Sequence, residues 1–232
     1  MRFDIITIFP ESFNSYLNES ILKRAQKKGL IQIKIHDLRN FTKDPHKKVD
    51  DRPYGGGPGM VIKIEPLTRV ISLILKSKTL PRYQAGKIQK RKTQVVLFST
   101  LGKQFDQKIA RDFAKKRDRI IMIAGHYEGV DERIKSVVRD FGFKIQELSI
   151  GPYVLTGGEL AGMVLVDAVS RHIPGVLGKE ESLEEKRYGA GVPVYTRPEI
   201  FLWKNKKYKT PKVLLSGDHQ KIEQWRKGHI KA

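Results

Sequence analysis

Apolar residues fall into short β-branched runs at residues 3–9 (FDIITIF), 31–35 (IQIKI), 94–98 (QVVLF), 119–124 (RIIMIA) and 144–148 (KIQEL). These predict strands. Helix-length stretches lie between most of them, at residues 11–28, 65–76, 104–116 and 131–141. Such alternation points to βαβ units and a parallel sheet. Several runs are apolar almost throughout, as strands are when helices cover both faces, so the expected class is α/β. Residues 157–171 (GGELAGMVLVDAVSR) read as a helix that is apolar around nearly its whole circumference. Such a helix must be buried in the core or against a second copy of the chain. Asp167 and Arg171 stand four apart on it, which leaves two readings open: an internal ion pair or a site role.

The chain's 232 residues allow one domain, or one with a small appendage. A Gly/Pro-punctuated and then acidic stretch beginning near residue 174 suggests a boundary: a main domain at 1–177, a linker at 178–194 and a short, basic, helical unit at 195–232. No run reaches the roughly 18 apolar residues of a membrane span, and no signal-peptide anatomy opens the chain, so a cytoplasmic location with no membrane contact is expected. The absence of cysteine excludes disulfides and thiolate chemistry.

Charge changes the picture most. Against 25 acids the chain carries 45 Lys and Arg, a net +20. A field of that sign concentrates polyanions, although a lysine-rich surface kept soluble by self-repulsion has the same composition. The excess gathers at residues 76–92, with seven basic residues and no acid, and at 203–232, with nine against Asp218 and Glu223. The first segment reads as a mobile basic loop; either could meet phosphates.

Three expected strands end in glycine-bearing loops: Ser99-Thr100-Leu101-Gly102, residues 125–129 (GHYEG) and residues 150–158 (IGPYVLTGG). Ligands of open parallel sheets bind at the strands' carboxyl ends, so the loops are either ordinary turns or the main-chain wall of a cofactor cleft. The run DDRPYGGGPG at residues 50–59 fits no phosphate-binding motif. It is a well-made surface turn or a rigid loop presenting carboxylates to a base edge. The six histidines are scattered and no metal site is expected.

Together these pieces resemble the bacterial tRNA (guanine-N1)-methyltransferase family of the SPOUT class. The matching segments are IFPE at residues 8–11, DPHKKVDDRPYGGGPGM at 44–60, HYEGVDER at 126–133, SIG at 149–151, YVL at 153–155, GGEL at 157–160, VSR at 169–171, IPGVLG at 173–178, YTRP at 195–198 and PKVLLSG at 211–217. The resemblance implies a deep trefoil knot and a homodimer with active sites at the subunit interface. It implies S-adenosylmethionine held by Gly125, Ile150, Gly151, Pro152, Tyr153, Val154, Leu155, Gly157 and Gly158, with Ser99 and Thr100 nearby, and a magnesium ion by analogy. The substrate is tRNA, methylated at N1 of the guanosine just 3′ of the anticodon, a modification that preserves the reading frame. Asp50, Tyr54, Gly55 and Gly59 match the segment gripping the target guanosines, Arg171 the arginine facing O6, and Glu128 an acidic site residue.

The chain departs from the pattern in places. Lys186 stands where the family usually has the aspartate that serves as general base, so Glu185 is the expected substitute base. Pro152, Ala161 and His126 replace an aspartate, a proline and an arginine. The chain ends soon after Trp225-Arg226-Lys227, where family members continue through further helix, which shifts the expected RNA grip toward residues 76–92. Two alternatives accompany the family reading: an RNA-binding relative with lost or altered activity, and a ribosomal RNA methyltransferase.

Overall fold

The computed structural model describes residues 1–76, 92–178 and 192–229. The chain forms two compact units, Met1–Val176 and Leu177–Ala232. The first is built on a five-stranded sheet of β1 (Arg2–Thr7), β2 (Gln32–Asp37), β5 (Thr93–Gln104), β6 (Arg119–Ile123) and β7 (Ile145–Ser149), in the order β2-β1-β6-β5-β7. Every pairing is parallel, so the carboxyl ends of all five strands share one edge.

Alternation along the strands sends residues to opposite faces, and the core is accordingly double. Phe3, Ile5, Val96, Ile120 and Met122 face α1 (Asn14–Leu17), α2 (Ser20–Lys27), α4 (Gln107–Lys116) and α6 (Glu159–Ser170). Ile6, Val95, Leu97, Ile121 and Ile123 face α3 (Ile64–Lys76) and α5 (Ile134–Asp140). Each fully buried Ile or Phe contributes about 1.5–3 kcal/mol, which is why the strand runs are continuously apolar.

Two expected boundaries are corrected. The helix expected over residues 11–28 is interrupted at Asn18-Glu19: Glu19 is extended, and Ser20, the first residue of α2, has φ +48°. The Leu17 carbonyl left open by the break accepts from Gln26 Nε2 at 2.7 Å. The loop expected at Ser99–Gly102 lies within β5, where the register against β7 shifts between Phe98 and Lys103 before pairing resumes at Lys103 and Gln104. A Cβ at Gly102 would stand 2.6 Å from the Leu148 amide nitrogen, so only glycine lets the two backbones pass so closely.

On β1, inside the sheet, sits a buried ionic cluster. Asp4, with no solvent exposure, accepts from Arg2 at 2.7 and 2.8 Å, Arg119 at 2.7 Å and His36 at 2.7 Å. Arg119 Nη1 also donates to the Ile74 carbonyl at 2.8 Å, closing the last turn of α3.

Within the second unit, Ile200–Trp203 (β8) and Lys206–Lys209 (β9) form an antiparallel hairpin, followed by α7 (Lys212–Leu215) and α8 (His219–Gly228). The expectation of a purely helical unit is therefore too narrow. The two-residue turn Lys204-Asn205 has φ +45° and +61°, the left-handed geometry that suits strand twist. It lacks the glycine that usually announces it. The basic loop lies almost entirely outside the described residues, as does most of the linker. Among the described residues no helix is long and apolar enough to cross a membrane.

Candidate functional site

The carboxyl ends of β5, β6 and β7 enclose a cavity of about 410 Å³, within the size range of cofactor pockets. Ser99, Thr100, Gly125, Glu128, Ile150, Gly151, Tyr153, Val154, Leu155, Gly157 and Gly158 line it. Pro152 does not; it is exposed beside the cavity. Close main-chain approach shapes the walls. Gly158 N donates to Gly125 O at 2.7 Å, and a Cβ at Gly158 would stand 2.8 Å from Ala124 Cα. Glu132 and Glu147 also line the cavity, both tied to Lys135 at 2.7 and 2.9 Å. Glu128 makes no ion pair among the described residues.

Beside the cavity, and reaching its lining at His126, runs a polar link through Thr7 and Glu159, to which sequence reading gave no site role. Glu159 opens α6, 8% exposed, where the helix N-terminus favours a carboxylate. Its Oε1 accepts from the Thr7 hydroxyl at 2.7 Å, and Thr7 in turn accepts from Phe9 N at 2.9 Å. Its Oε2 faces His126 Nδ1 at 3.8 Å. That nitrogen is buried without a hydrogen bond, while the ring is held edge-on by Phe9 and Tyr127, both with centroids at 4.9 Å. Glu159 thus ties together the carboxyl ends of β1 and β6 and the start of α6. The sequence carried a weak signal for this: a glutamate at the head of an otherwise apolar helix. Its partner Thr7, 152 residues away, left no signal.

Two motifs that were separate in the sequence are joined in space. The segment 50–62 folds back as a hairpin of β3 (Asp50–Asp51) and β4 (Val61–Ile62). Its return arm runs along the cavity loop: Glu128 N donates to Met60 O, Ile62 N to Gly129 O and Asp131 N to Ile62 O, each at 3.0 Å. Gly59, at φ +83°, lies beneath Glu128, and a Cβ there would force the Glu128 side chain to move. The tip projects outward, with Tyr54 98% exposed. A hydrogen bond from the Arg52 amide, and then Lys63, hold the Asp51 carboxyl below its ordinary range. Asp50, Tyr54, Gly55 and Gly59 therefore lie outside the cavity, but their hairpin is clipped to its wall at Glu128.

Arg171 is the C-cap residue of α6, partly buried, and is not among the residues lining the cavity of its own chain. The Asp167 carboxylate accepts from the Tyr16 hydroxyl of α1, while the Arg171 amide donates to the Asp167 carbonyl at 3.1 Å. On the same helix Leu160 and Val164, one turn apart, are 57% and 45% exposed. Glu185 and Lys186 lie outside the described residues. Among those described, no group of three or more His, Asp or Glu could hold a metal ion. They offer no cage for magnesium.

A sequence model of the family described as tRNA (Guanine-1)-methyltransferase TrmD matches residues 1–232. The chain is 46% identical over 230 residues to a tRNA (guanine-N(1)-)-methyltransferase of Dictyoglomus turgidum, covering 98% of this chain and 84% of the relative. Proteins of the same name from Carboxydothermus hydrogenoformans and Clostridioides difficile are 46% and 44% identical. Each alignment covers 98% of this chain, with 81% and 91% of the respective relative. With the match running the length of the chain, across both the cavity loops and the hairpin clipped to them, this protein belongs to the tRNA (guanine-N1)-methyltransferase family.

Proposed function

We propose that this chain methylates N1 of guanine in tRNA, at the guanosine just 3′ of the anticodon, using S-adenosylmethionine bound in the β5–β6–β7 cavity. One observation carries the reading: Glu128 belongs at once to the cavity wall and to the hydrogen-bonded seam that holds the Asp50–Gly59 hairpin. A methyl donor on one side of that seam and a nucleoside gripped on the other would meet at it. The cavity suits the donor on its own chemistry, because main-chain groups at Gly125, Ile150, Gly151 and Tyr153–Leu155 can receive an adenosine and the Glu128 carboxylate would face its cationic sulfur. When bound, S-adenosylmethionine supplies an electrophilic methyl on a positively charged sulfur.

The residues' tasks follow from the nucleophile. Guanine N1 carries a proton at neutral pH, and its lone pair becomes available only as that proton leaves. Negative charge then develops on O6, where the Arg171 guanidinium would hold it. For the proton we propose Glu185, since Lys186 beside it is a cation and cannot accept. Asp50, Tyr54, Gly55 and Gly59 would seat the guanosine. Family membership also supports a knotted course of the chain through the cavity loops, a short C-terminal tRNA-binding unit after a linker, and a cytoplasmic setting. A homodimer has its own support in the exposed Leu160 and Val164 of α6, which a second copy would cover.

Transfer of labelled methyl from S-adenosylmethionine tests the function. Unmodified tRNA with consecutive guanosines at the anticodon's 3′ edge should be labelled. The same tRNA with adenosine at the target, and ribosomal RNA, should not. Tight tRNA binding without transfer would assign the chain to catalytically silent relatives, and label confined to ribosomal RNA would move the substrate. Glu185→Gln should lose methylation while both substrates still bind; full activity in that variant would remove Glu185 as the base.

The Thr7–Glu159–His126 link gives a milder expectation. Glu159→Gln keeps an acceptor for Thr7 but removes the charge facing His126. Calorimetry should show S-adenosylmethionine affinity falling a few-fold, since His126, which lines the cavity, loses the carboxylate beside it, with little change in thermal midpoint. Unchanged affinity would show that the carboxylate serves only to hold β1.

A further inference from the structure

The second unit carries a surface that the chemistry above does not use. In the β8–β9 hairpin Trp203 pairs with Lys206 and Phe201 with Tyr208. Cross-strand partners share a face, so three aromatic rings and one ammonium stand on the same side. Phe201 and Trp203 are nearly parallel, at 13° and 6.5 Å between centroids; Tyr208 lies 6.3 Å from Phe201, and Lys206 Nζ stands 5.4 Å from the Tyr208 centroid. All three rings are about half exposed: Phe201 52%, Trp203 57% and Tyr208 47%. Ile200–Lys209 contains four lysines, at 204, 206, 207 and 209, and no acid.

Exposed rings clustered in this way mark an interaction surface, and the lysines indicate for what. Cores of protein interfaces are depleted in lysine, whereas a strand of unpaired nucleotides presents flat bases to stack on aromatic faces and phosphates to meet ammonium groups. We propose that the aromatic face of this hairpin binds unpaired nucleotides of RNA, with bases stacking on Trp203, Phe201 and Tyr208 while the flanking lysines contact phosphates. The inference leans on the tRNA reading only for which RNA is bound.

The test uses the full chain, an unmodified tRNA transcript and a single-stranded oligouridylate. Trp203→Ala should weaken binding of both by about tenfold, the scale of one lost base stack. Trp203→Phe, which keeps an aromatic face, should recover most of it. Lys206→Ala should lower the slope of log affinity against log salt by about one, while Trp203→Ala leaves that slope unchanged. S-adenosylmethionine affinity should be the same in all three variants. Wild-type RNA affinity in Trp203→Ala overturns the proposal. So does a shift in sedimentation from dimer to monomer without loss of RNA binding, which would assign the face to a second copy. Loss of RNA binding in Trp203→Ala supports the proposal even if the wild type transfers no methyl, so the two readings fail separately.

Discussion

Asp4→Asn should destabilise the fold by about 3–5 kcal/mol, the usual consequence of removing one partner from a buried ionic cluster. Two arginines and a histidine converge on this carboxylate, which has no exposed surface. An amide would leave their charge uncompensated in a low-dielectric interior. Against a total stability of about 5–15 kcal/mol, the loss is large enough to read directly in urea denaturation. The pH dependence has a definite sign. Burial pushes the Asp4 carboxyl up, but hydrogen bonds from His36, Arg2 and Arg119 overcome it and hold the group well below the usual carboxylate range. A depressed folded-state value contributes stability that is fully present above the unfolded value of about 3.9 and is lost as pH falls below it. The wild type should therefore lose stability on acidification below about pH 4 more steeply than Asp4→Asn. A penalty under about 1 kcal/mol at neutral pH, or parallel acid profiles, would show that the cluster relaxes around the amide.

For Arg171→Ala we expect single-turnover methyl transfer to fall by about 10²–10³, the scale of losing one group aimed at developing oxyanion charge. Affinities for tRNA and S-adenosylmethionine should stay within a few-fold of wild type. Arg171 ends α6 away from the cavity-lining set of its own chain, and α6 exposes Leu160 and Val164. A second copy docked on that face would bring the arginine of one protomer toward the cavity of its partner. Gly158→Val should close the cavity, since even a Cβ meets the Ala124 backbone. Co-expressing Arg171→Ala with Gly158→Val should then restore a site in the mixed dimer. Transfer at the wild-type rate in Arg171→Ala would remove the oxyanion role. Failure to complement would place both residues in a site built by one chain.

Much of the main unit was legible in the sequence because its signals are local. The continuous apolar runs that became β1, β5 and β6 required cover on both faces, and helices provide it. The loops at residues 125–129 and 150–158 were legible as a cleft because strand direction alone sends them to one edge. The hairpin's C-terminal turn was missed because Lys204-Asn205 adopts left-handed geometry without glycine, its conformation enforced by the paired strands on either side.

The sequence by itself determined the fold class, the polyanion-seeking charge and the glycine loops, since each depends on residue type and short-range periodicity. Only the tertiary structure decided that Thr7, His126 and Glu159 form one link, that β5 bulges past β7 at Gly102, and that the Gly59 turn lies under Glu128. Those contacts join residues far apart in the chain. Their energy appears only once the sheet has brought its carboxyl ends together, so no pattern of neighbouring residues records them.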